Sequence, residues 1–359
     1  MTINYTYMII AFTISLLFSL IGTPFIVKIC NAKGLYDQPN NRKVHTKAIP
    51  RLGGTLFMPS MSLGVAITLL IIYRDWNKDM EVGLSNILMS IGALLIYLIG
   101  ILDDLKGMQA IHKFIVQTVA ALIFPSCNLL ISNLQGLFGI YEIPLYFSYP
   151  LTVFVILLIV NAMNLIDGID GLASCLSILI LGTFAYLYYQ LESFLFCLIC
   201  ASLAGALLAF FIYNFYGKVG KYKIFMGDSG SLFLGYIIAY FAIKYPMIHE
   251  WNLMPNQDGA LLVSFSLVFI PCIDVVRVAI QRKLRGKAMF DADKTHIHHR
   301  IMDMGFSMHA TLLIILCLFC SFGLINWGLY TAGLPITYIL ITDVVSYSLI
   351  IWCITSLKK

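Results

Sequence analysis

Residues Lys221 to Leu234 read Lys-Tyr-Lys-Ile-Phe-Met-Gly-Asp-Ser-Gly-Ser-Leu-Phe-Leu. The stretch passes from a basic segment into an apolar run long enough to cross a bilayer. At the junction stands one carboxylate, Asp228, between two glycines. Three lysines, Lys218, Lys221 and Lys223, precede it. A charge at a bilayer edge is costly unless it is paired, solvated or bound to a metal. Glycines on both sides let the backbone come close to a ligand. A plain membrane span needs neither feature, so the rest of the chain is read for what faces Asp228.

The composition sets the class. Of 359 residues, 60% are hydrophobic and 11% are charged, and mean hydropathy is +0.88. A soluble domain carries about 25% charged residues, so this is an all-α polytopic membrane protein. The nine cysteines include two C-x-x-C pairs, Cys197/Cys200 and Cys317/Cys320. Both lie inside apolar runs with no second ligand pair, and they read as small apolar helix residues. The first apolar run is too long for a signal-peptide core and lacks a small-residue cleavage site, so it reads as a retained anchor. Nothing marks a soluble domain or an internal repeat, and residues 1–359 read as one integral-membrane domain.

A membrane helix needs about 20 apolar residues. Such runs fall near 7–29, 54–73, 84–102, 112–132, 151–166, 172–190, 193–216, 229–248, 259–281, 310–330 and 335–356, about eleven spans. With that count, the loops after odd-numbered spans and the C-terminus hold twenty Lys and Arg. The other side holds Arg74, Lys78 and Lys244. The positive-inside rule then expects an outer, periplasmic N-terminus and a cytoplasmic C-terminus. On the outer side, residues 133–149 alternate apolar residues with glycines and suggest a short hairpin.

Every inner loop carries polar residues beyond basic anchors. The first holds Gly34-Leu-Tyr-Asp-Gln-Pro-Asn-Asn-Arg-Lys-Val-His and then Pro50-Arg-Leu-Gly-Gly. The second holds Asp103-Asp104, two adjacent carboxylates that stay ionised only beside a cation or ample water. The fifth span ends in Asn161-Ala-Met-Asn164-Leu-Ile-Asp167-Gly-Ile-Asp170-Gly171. Its four oxygen-bearing side chains recur every three residues, a spacing that shares a slowly drifting helix face. Asn214 and the Asp228 stretch follow the seventh span. After the ninth come Asp291-Ala-Asp-Lys-Thr-His296-Ile-His298-His299-Arg300. That histidine spacing matches no standard zinc site, and mixed cationic and neutral donors suit a phosphate or sugar better. Asp274 and Arg277, three apart in the ninth span, read as a structural ion pair.

Asp103, Asp104, Asp167, Asp170 and Asp228 place five carboxylates on the cytoplasmic face. Such oxygens suit Mg²⁺, with Mn²⁺ as substitute. Acids for a metal and bases for phosphates are the parts of phosphoryl transfer. A site at the lipid edge fits one lipid phosphate and one soluble nucleotide as substrates. A secondary transporter places its acids near the midplane, often in related repeats, which this chain lacks.

The motifs together resemble the polyprenyl-phosphate N-acetylhexosamine-1-phosphate transferases, the WecA type more closely than the MraY type. They are Gly34-Leu-x-Asp-x-Pro-Asn through Arg42-Lys-x-His and Pro50-x-x-Gly-Gly, Asp103-Asp104, Asn161-Ala-x-Asn-x-x-Asp-Gly-x-Asp-Gly-Leu, Phe225-Met-Gly-Asp-Ser-Gly-Ser, and His296-Ile-His-His. The resemblance covers nearly the whole chain, although Lys106 departs from the third acid that WecA-type relatives often carry after the Asp pair. It implies an eleven-helix enzyme of the bacterial cytoplasmic (inner) membrane. The implied reaction turns UDP-GlcNAc and undecaprenyl phosphate into undecaprenyl-diphosphate-GlcNAc and UMP, with another UDP-HexNAc as the alternative donor. By match, Asp228 would ligate Mg²⁺ with Asn164 as second contact. Asp103 and Asp104 would position the lipid phosphate, one of them acting as base. Asp167 and Asp170 would hold the nucleotide sugar or shape the metal site, and Asn214 matches a uridine-side position. Lys43, His45, Asn161 and Lys223 join the substrate-binding set. His296, His298, His299 and Arg300 would grip the diphosphate or sugar. The residues leave open whether an Asp attacks covalently or the lipid phosphate attacks directly; a phosphate monoester is already anionic, which favours direct attack. The resemblance allows a homodimer and implies no nucleic-acid partner. The product would begin an O-antigen, common antigen, capsule or teichoic-type polymer.

Overall fold

The computed structural model describes residues 5–37, 48–76, 83–251, 259–286 and 295–356. In chain order the helices are α1 (Tyr5–Lys33), α2 (Phe57–Trp76), α3 (Leu84–Lys106), α4 (Ala110–Ser126), α5 (Leu145–Ile166) and α6 (Leu172–Gln190). Then come α7 (Phe194–Phe215), α8 (Gly227–Trp251), α9 (Ala260–Leu284), α10 (Ile297–Asp303), α11 (Met308–Thr331) and α12 (Ile336–Ser356). All except the seven-residue α10 match the eleven spans expected from hydropathy. Among the described residues, nine helices are long and apolar enough to cross a membrane. The protein is thus an all-α, multi-pass membrane protein. Large side chains such as Ile9, Ile21, Phe25, Leu313, Leu324 and Trp352 lie exposed, the face a helix presents to lipid.

Two small hairpins accompany the helices. β1 (Tyr36–Asp37) pairs antiparallel with β2 (Ile49–Pro50). β3 (Asn133–Leu137) pairs antiparallel with β4 (Ile140–Glu142), the hairpin expected within 133–149.

The helices of this one chain sort into two compact units. The first is Met1–Ala120 with Asp170–Ile238, and the second is Ala121–Ile169 with Ala239–Lys359. In the first unit α7 packs against α1, α2 and α6. α7 is apolar all round because it is enclosed all round. Lipid offers apolar side chains no advantage for leaving it, so helices associate through close packing of small residues. Gly205 and Gly64 show this: a Cβ at either would press on a carbonyl oxygen of α1, that of Phe12 or Ala11.

In the second unit α9 packs on α5 and α11, and α12 packs on α11. Gln135 of β3 accepts from the backbone N–H of Gly259 and Leu261 (3.3 and 3.0 Å), satisfying donors that α9 leaves open at its N-terminus. Within the apolar helices Asn326 donates to Ser266 (2.9 Å) and Asp343 (2.8 Å), tying α11 to α9 and α12.

Candidate active site

In the first unit the Pro50-x-x-Gly-Gly segment braces the Phe225-Met-Gly-Asp loop. Phe225 N donates to Pro50 O, Gly53 N to Phe225 O and Gly54 N to Met226 O, at 2.7, 2.9 and 2.8 Å. The glycines are steric requirements. A Cβ at Gly54 would overlap the backbone of Gly230, and one at Gly100 would lie 2.5 Å from Ser229 Cα. The 3₁₀ turn Gly53–Leu56 and α3 therefore both approach the start of α8 at backbone distance.

That approach delivers the Asp pair. Successive helix residues do not face the same way, so the two carboxylates diverge. Asp104 is buried, 3% exposed, and caps α8: Asp228 N and Ser229 N donate to its two oxygens at 2.9 and 3.0 Å. A carboxylate at a helix N-terminus satisfies orphan donors and complements the dipole. Gly227, at φ +73, leaves the room it needs, since a Cβ there would lie 2.5 Å from Asp104 Oδ2. Asp103 turns the other way. Its Oδ1 accepts from Met108 N at 2.6 Å, and its Oδ2 accepts from Lys113 Nζ at 3.2 Å. The same ammonium donates to Asp228 Oδ2 at 2.7 Å.

Lys113 is thus the point where Asp103 and Asp228 meet. In the sequence it counted only as a topology charge; its position in the first turn of the helix after Asp103-Asp104 was the available signal. All three side chains keep some exposure, between 14% and 24%, so the cluster is open to a ligand. Two carboxylate oxygens sharing one cation are a donor set that fits Mg²⁺, which is usually held by one or two carboxylates with water and phosphate oxygens.

The same unit joins Asp170, Asn214 and Lys223. Lys223 pairs with Asp170 Oδ2. Asn214 accepts from Gly171 N (2.7 Å) and donates to Ile224 O (2.9 Å) and Asp170 Oδ1 (3.5 Å). It is buried, and its amide holds two backbone segments in place.

The helix expected to carry Asn161 through Asp170 on one face ends earlier, at Ile166. Gly168 and Gly171, the latter at φ +82, turn the chain into α6. Only Asn161 and Asn164 lie on α5; Asp167 is its C-cap, and Asp170 belongs to the Lys223 cluster. Asn161 Nδ2 donates to Leu157 O at 2.7 Å. Asn164 and Asp167 are half-buried at the helix end.

In the second unit the histidines sit on α10 and its cap. His298, 1% exposed, lies on Gly168, where a Cβ would overlap its ring. Burial pushes its imidazole down to about 3, and His299 and His296 add to the effect, so it is neutral. His298 and His299 rings lie 4.3 Å apart. Arg300 holds Thr295 O (3.0 Å), Gln281 Oε1 (3.1 Å) and Thr355 Oγ1, which fastens α10 to α9 and α12. Asp274 and Arg277 form the expected ion pair, 2.5 Å, and His296 joins it through Nδ1, 2.7 Å from Asp274 Oδ2. Lys43 and His45 lie outside the described residues.

Membrane-spanning helices with a carboxylate and ammonium cluster at the head of one helix, and a histidine cluster in the second unit, define a class: integral-membrane enzymes that handle phosphate. Residues 86–245 match glycosyl transferase family 4. A Bacillus subtilis (strain 168) protein named probable undecaprenyl-phosphate N-acetylglucosaminyl 1-phosphate transferase is 32% identical over 310 residues, 86% of this chain and 80% of that protein. The Escherichia coli (strain K12) undecaprenyl-phosphate alpha-N-acetylglucosaminyl 1-phosphate transferase is 29% identical over 348 residues, 94% of this chain and 88% of that protein. A protein of the same name from Yersinia pestis is 29% identical over 313 residues, 86% and 80%. The chain belongs to the glycosyl transferase family 4 group of undecaprenyl-phosphate N-acetylglucosaminyl 1-phosphate transferases.

Proposed function

We propose that this protein transfers GlcNAc-1-phosphate from UDP-GlcNAc to undecaprenyl phosphate. A lipid phosphate oxygen attacks the phosphorus that bears the sugar. The new P–O bond forms as the diphosphate bridge breaks, and UMP leaves with the electron pair. The observation that carries this reading is the convergence of Asp103 and Asp228 on Lys113 in a chain whose relatives bear that name.

Asp228 and Asp103 would hold Mg²⁺, or Mn²⁺ in its place. No group of three or more His, Cys, Asp or Glu among the described residues could hold a metal alone, so water and substrate oxygens would complete the shell. When bound, the ion neutralises charge on the diphosphate. Lys113 then offers its ammonium to the lipid phosphate. Asp104 is buried against the head of α8, whereas Asp103 keeps some exposure beside Lys113, so of the pair Asp103 is the one assigned to orient the lipid phosphate and accept a proton from its monoanion. Asn214 acts by holding Asp170 and Lys223, which leaves that ion pair to meet the nucleotide sugar. Asn161, Asn164, Asp167 and the histidines keep the roles that the resemblance implies.

Twenty basic residues on one set of loops support a cytoplasmic placement of the Asp103, Asp228 and histidine loops in a bacterial inner membrane. The deciding experiment incubates the purified protein with undecaprenyl phosphate and a panel of UDP-sugars. UMP release together with a diphosphate-linked lipid from UDP-GlcNAc is expected. Turnover of a different UDP-HexNAc alone would reassign the donor, and no UMP from any donor would sink the reading.

A further inference from the structure

The first turns of α9 wall a cavity of about 250 Å³ in the second unit. Leu137 of β3, Val155 of α5, Ile243 of α8, Val268 of α9 and Ile336 of α12 line it, and the lining is apolar apart from Ser132, Asn133 and Ser264. Asn133 is engaged, its Oδ1 accepting from Gln135 N at 2.6 Å. Ser264 is 3% exposed, and its hydroxyl is buried without a hydrogen-bond partner among the described residues. A helical Ser or Thr commonly donates to a carbonyl of the preceding turn, as Thr342 does to Tyr338 O at 2.8 Å. Ser264 makes no such bond, and an unsatisfied hydroxyl on a cavity wall calls for an acceptor from outside the chain.

The surrounding surface shows which medium reaches the cavity. Phe138 and Tyr141 in the hairpin, Tyr146 and Phe147 at the start of α5, Trp327 near the end of α11 and Tyr338 near the start of α12 are each more than half exposed. They share one end of the unit: Phe138 N donates to Thr337 Oγ1 (2.7 Å), Ile131 N to Thr152 Oγ1 (2.9 Å), and a Cβ at Gly259 would press on the Tyr330 ring. Aromatic side chains gather where hydrocarbon meets water, so the cavity lies just inside that boundary. Ser264 is five residues from Gly259, the α9 N-cap, about 7 Å along the helix. That depth is within reach of the ester carbonyls at the edge of the hydrocarbon. Water does not meet the need, because a buried water requires two to four polar partners. An empty apolar void forfeits packing along every wall. A hydrocarbon chain that ends in an ester answers both.

We propose that this cavity is a structural lipid site: it takes one acyl chain of a bilayer glycerophospholipid, and Ser264 Oγ donates to that chain's ester carbonyl. The lipid then fastens the β3–β4 hairpin to α5, α8, α9 and α12. Ser264 lies about 30 Å along α9 from Leu284, after which the histidine segment begins, so the occupant takes no part in the phosphate chemistry. The site stands whether or not the reaction proposed above is correct.

Thermal melts of the full chain test it without any turnover. The protein is stripped of lipid in a maltoside detergent and titrated with palmitoyl-oleoyl phosphatidylglycerol in mixed micelles. Free lipid at about a hundred times its Kd should raise the melting temperature by about 3–4 °C. Val268→Phe puts a ring into the cavity, so it should lose that rise and, in native mass spectrometry, the one phospholipid that wild-type protein retains. Ser264→Ala keeps the cavity and removes the donor, so it should need about fivefold more lipid for the same rise. Equal rises in wild type and Val268→Phe would mean a general micelle effect and overturn the proposal. So would an unchanged titration in Ser264→Ala, which decides alone if Val268→Phe does not fold. A Val268→Phe variant that changes the oligomeric state while wild type shows no lipid rise would assign the cavity to a second copy and overturn it as well. Undecaprenyl phosphate should stabilise wild type and Val268→Phe alike; stabilisation by that lipid alone, lost in Val268→Phe, would give the cavity to the substrate chain instead.

Discussion

Asp103 and Asp104 are consecutive residues, and a helix turns by about 100° between them. One therefore reaches an exposed lysine while the other is enclosed at the head of α8. This separates their roles. Asp103→Asn should keep the melting temperature and reduce UMP release by about 100-fold, the scale of a lost positioned acid–base group. Asp104→Asn removes a cap and should cost about 1–2 kcal/mol of stability, read as an earlier thermal transition in detergent. Asp228→Asn should leave a folded protein with little turnover; near-normal UMP release would refute its metal assignment. His298 supplies a pH effect with a definite sign. Its folded value of about 3 lies below the ordinary 6.5, so below pH 6.5 the unfolded chain binds a proton that the folded chain refuses. The contribution is complete above pH 6.5 and is lost as pH falls toward 3, about 1.4 kcal/mol per pH unit. Melting temperature should drop between pH 7 and pH 5, and His298→Gln should flatten that slope. Asp228 was visible from its sequence surroundings. Lys113 was not, because its two partners lie on separate elements, one of them 115 residues away.

At the level of elements, the glycines make the sharpest test. Gly54→Ala and Gly100→Ala each drive a methyl into the backbone at the start of α8, where neither side can yield, and should destabilise by about 1–3 kcal/mol. Gly182, in the middle of α6, has nothing within 4 Å of the place a Cβ would take. Gly182→Ala should be tolerated or gain about 0.5–1 kcal/mol. Thermal melts of the three variants side by side decide whether close approach or helix propensity governs. The spans themselves were legible because an apolar run of bilayer length admits one structure, and the 133–142 hairpin because its alternation and glycines do the same. The end of α5 was less so. The three-residue spacing from Asn161 to Asp170 is compatible with a helix, and only the turn at Gly168 and Gly171 sends Asp170 to Lys223. Asp274 was legible as far as Arg277, a neighbour on its own helix. Its bonds to His296 and Tyr347, 22 and 73 residues along the chain, leave no trace in local spacing.

For the whole molecule, the charge asymmetry predicts a topology. In a cysteine-free background, Gly139→Cys in the β3–β4 turn should react with a membrane-impermeant maleimide on intact cells. Lys221→Cys should react only after the membrane is opened. Equal labelling of both would overturn the orientation. EDTA should abolish turnover and Mg²⁺ or Mn²⁺ restore it, with UMP as the readout. The cap on α8 also bears on inhibition. Soluble nucleotide-binding folds commonly seat phosphate on the open N-terminus of a helix. Here Asp104 already occupies that seat at the head of α8, and its carboxylate would repel a second anion. A neutral phosphate surrogate that relies on backbone N–H donors therefore finds Asp228 N and Ser229 N already taken, whereas a charged one finds Lys113. Compounds aimed at this cluster should lose potency steeply when their anionic group is masked.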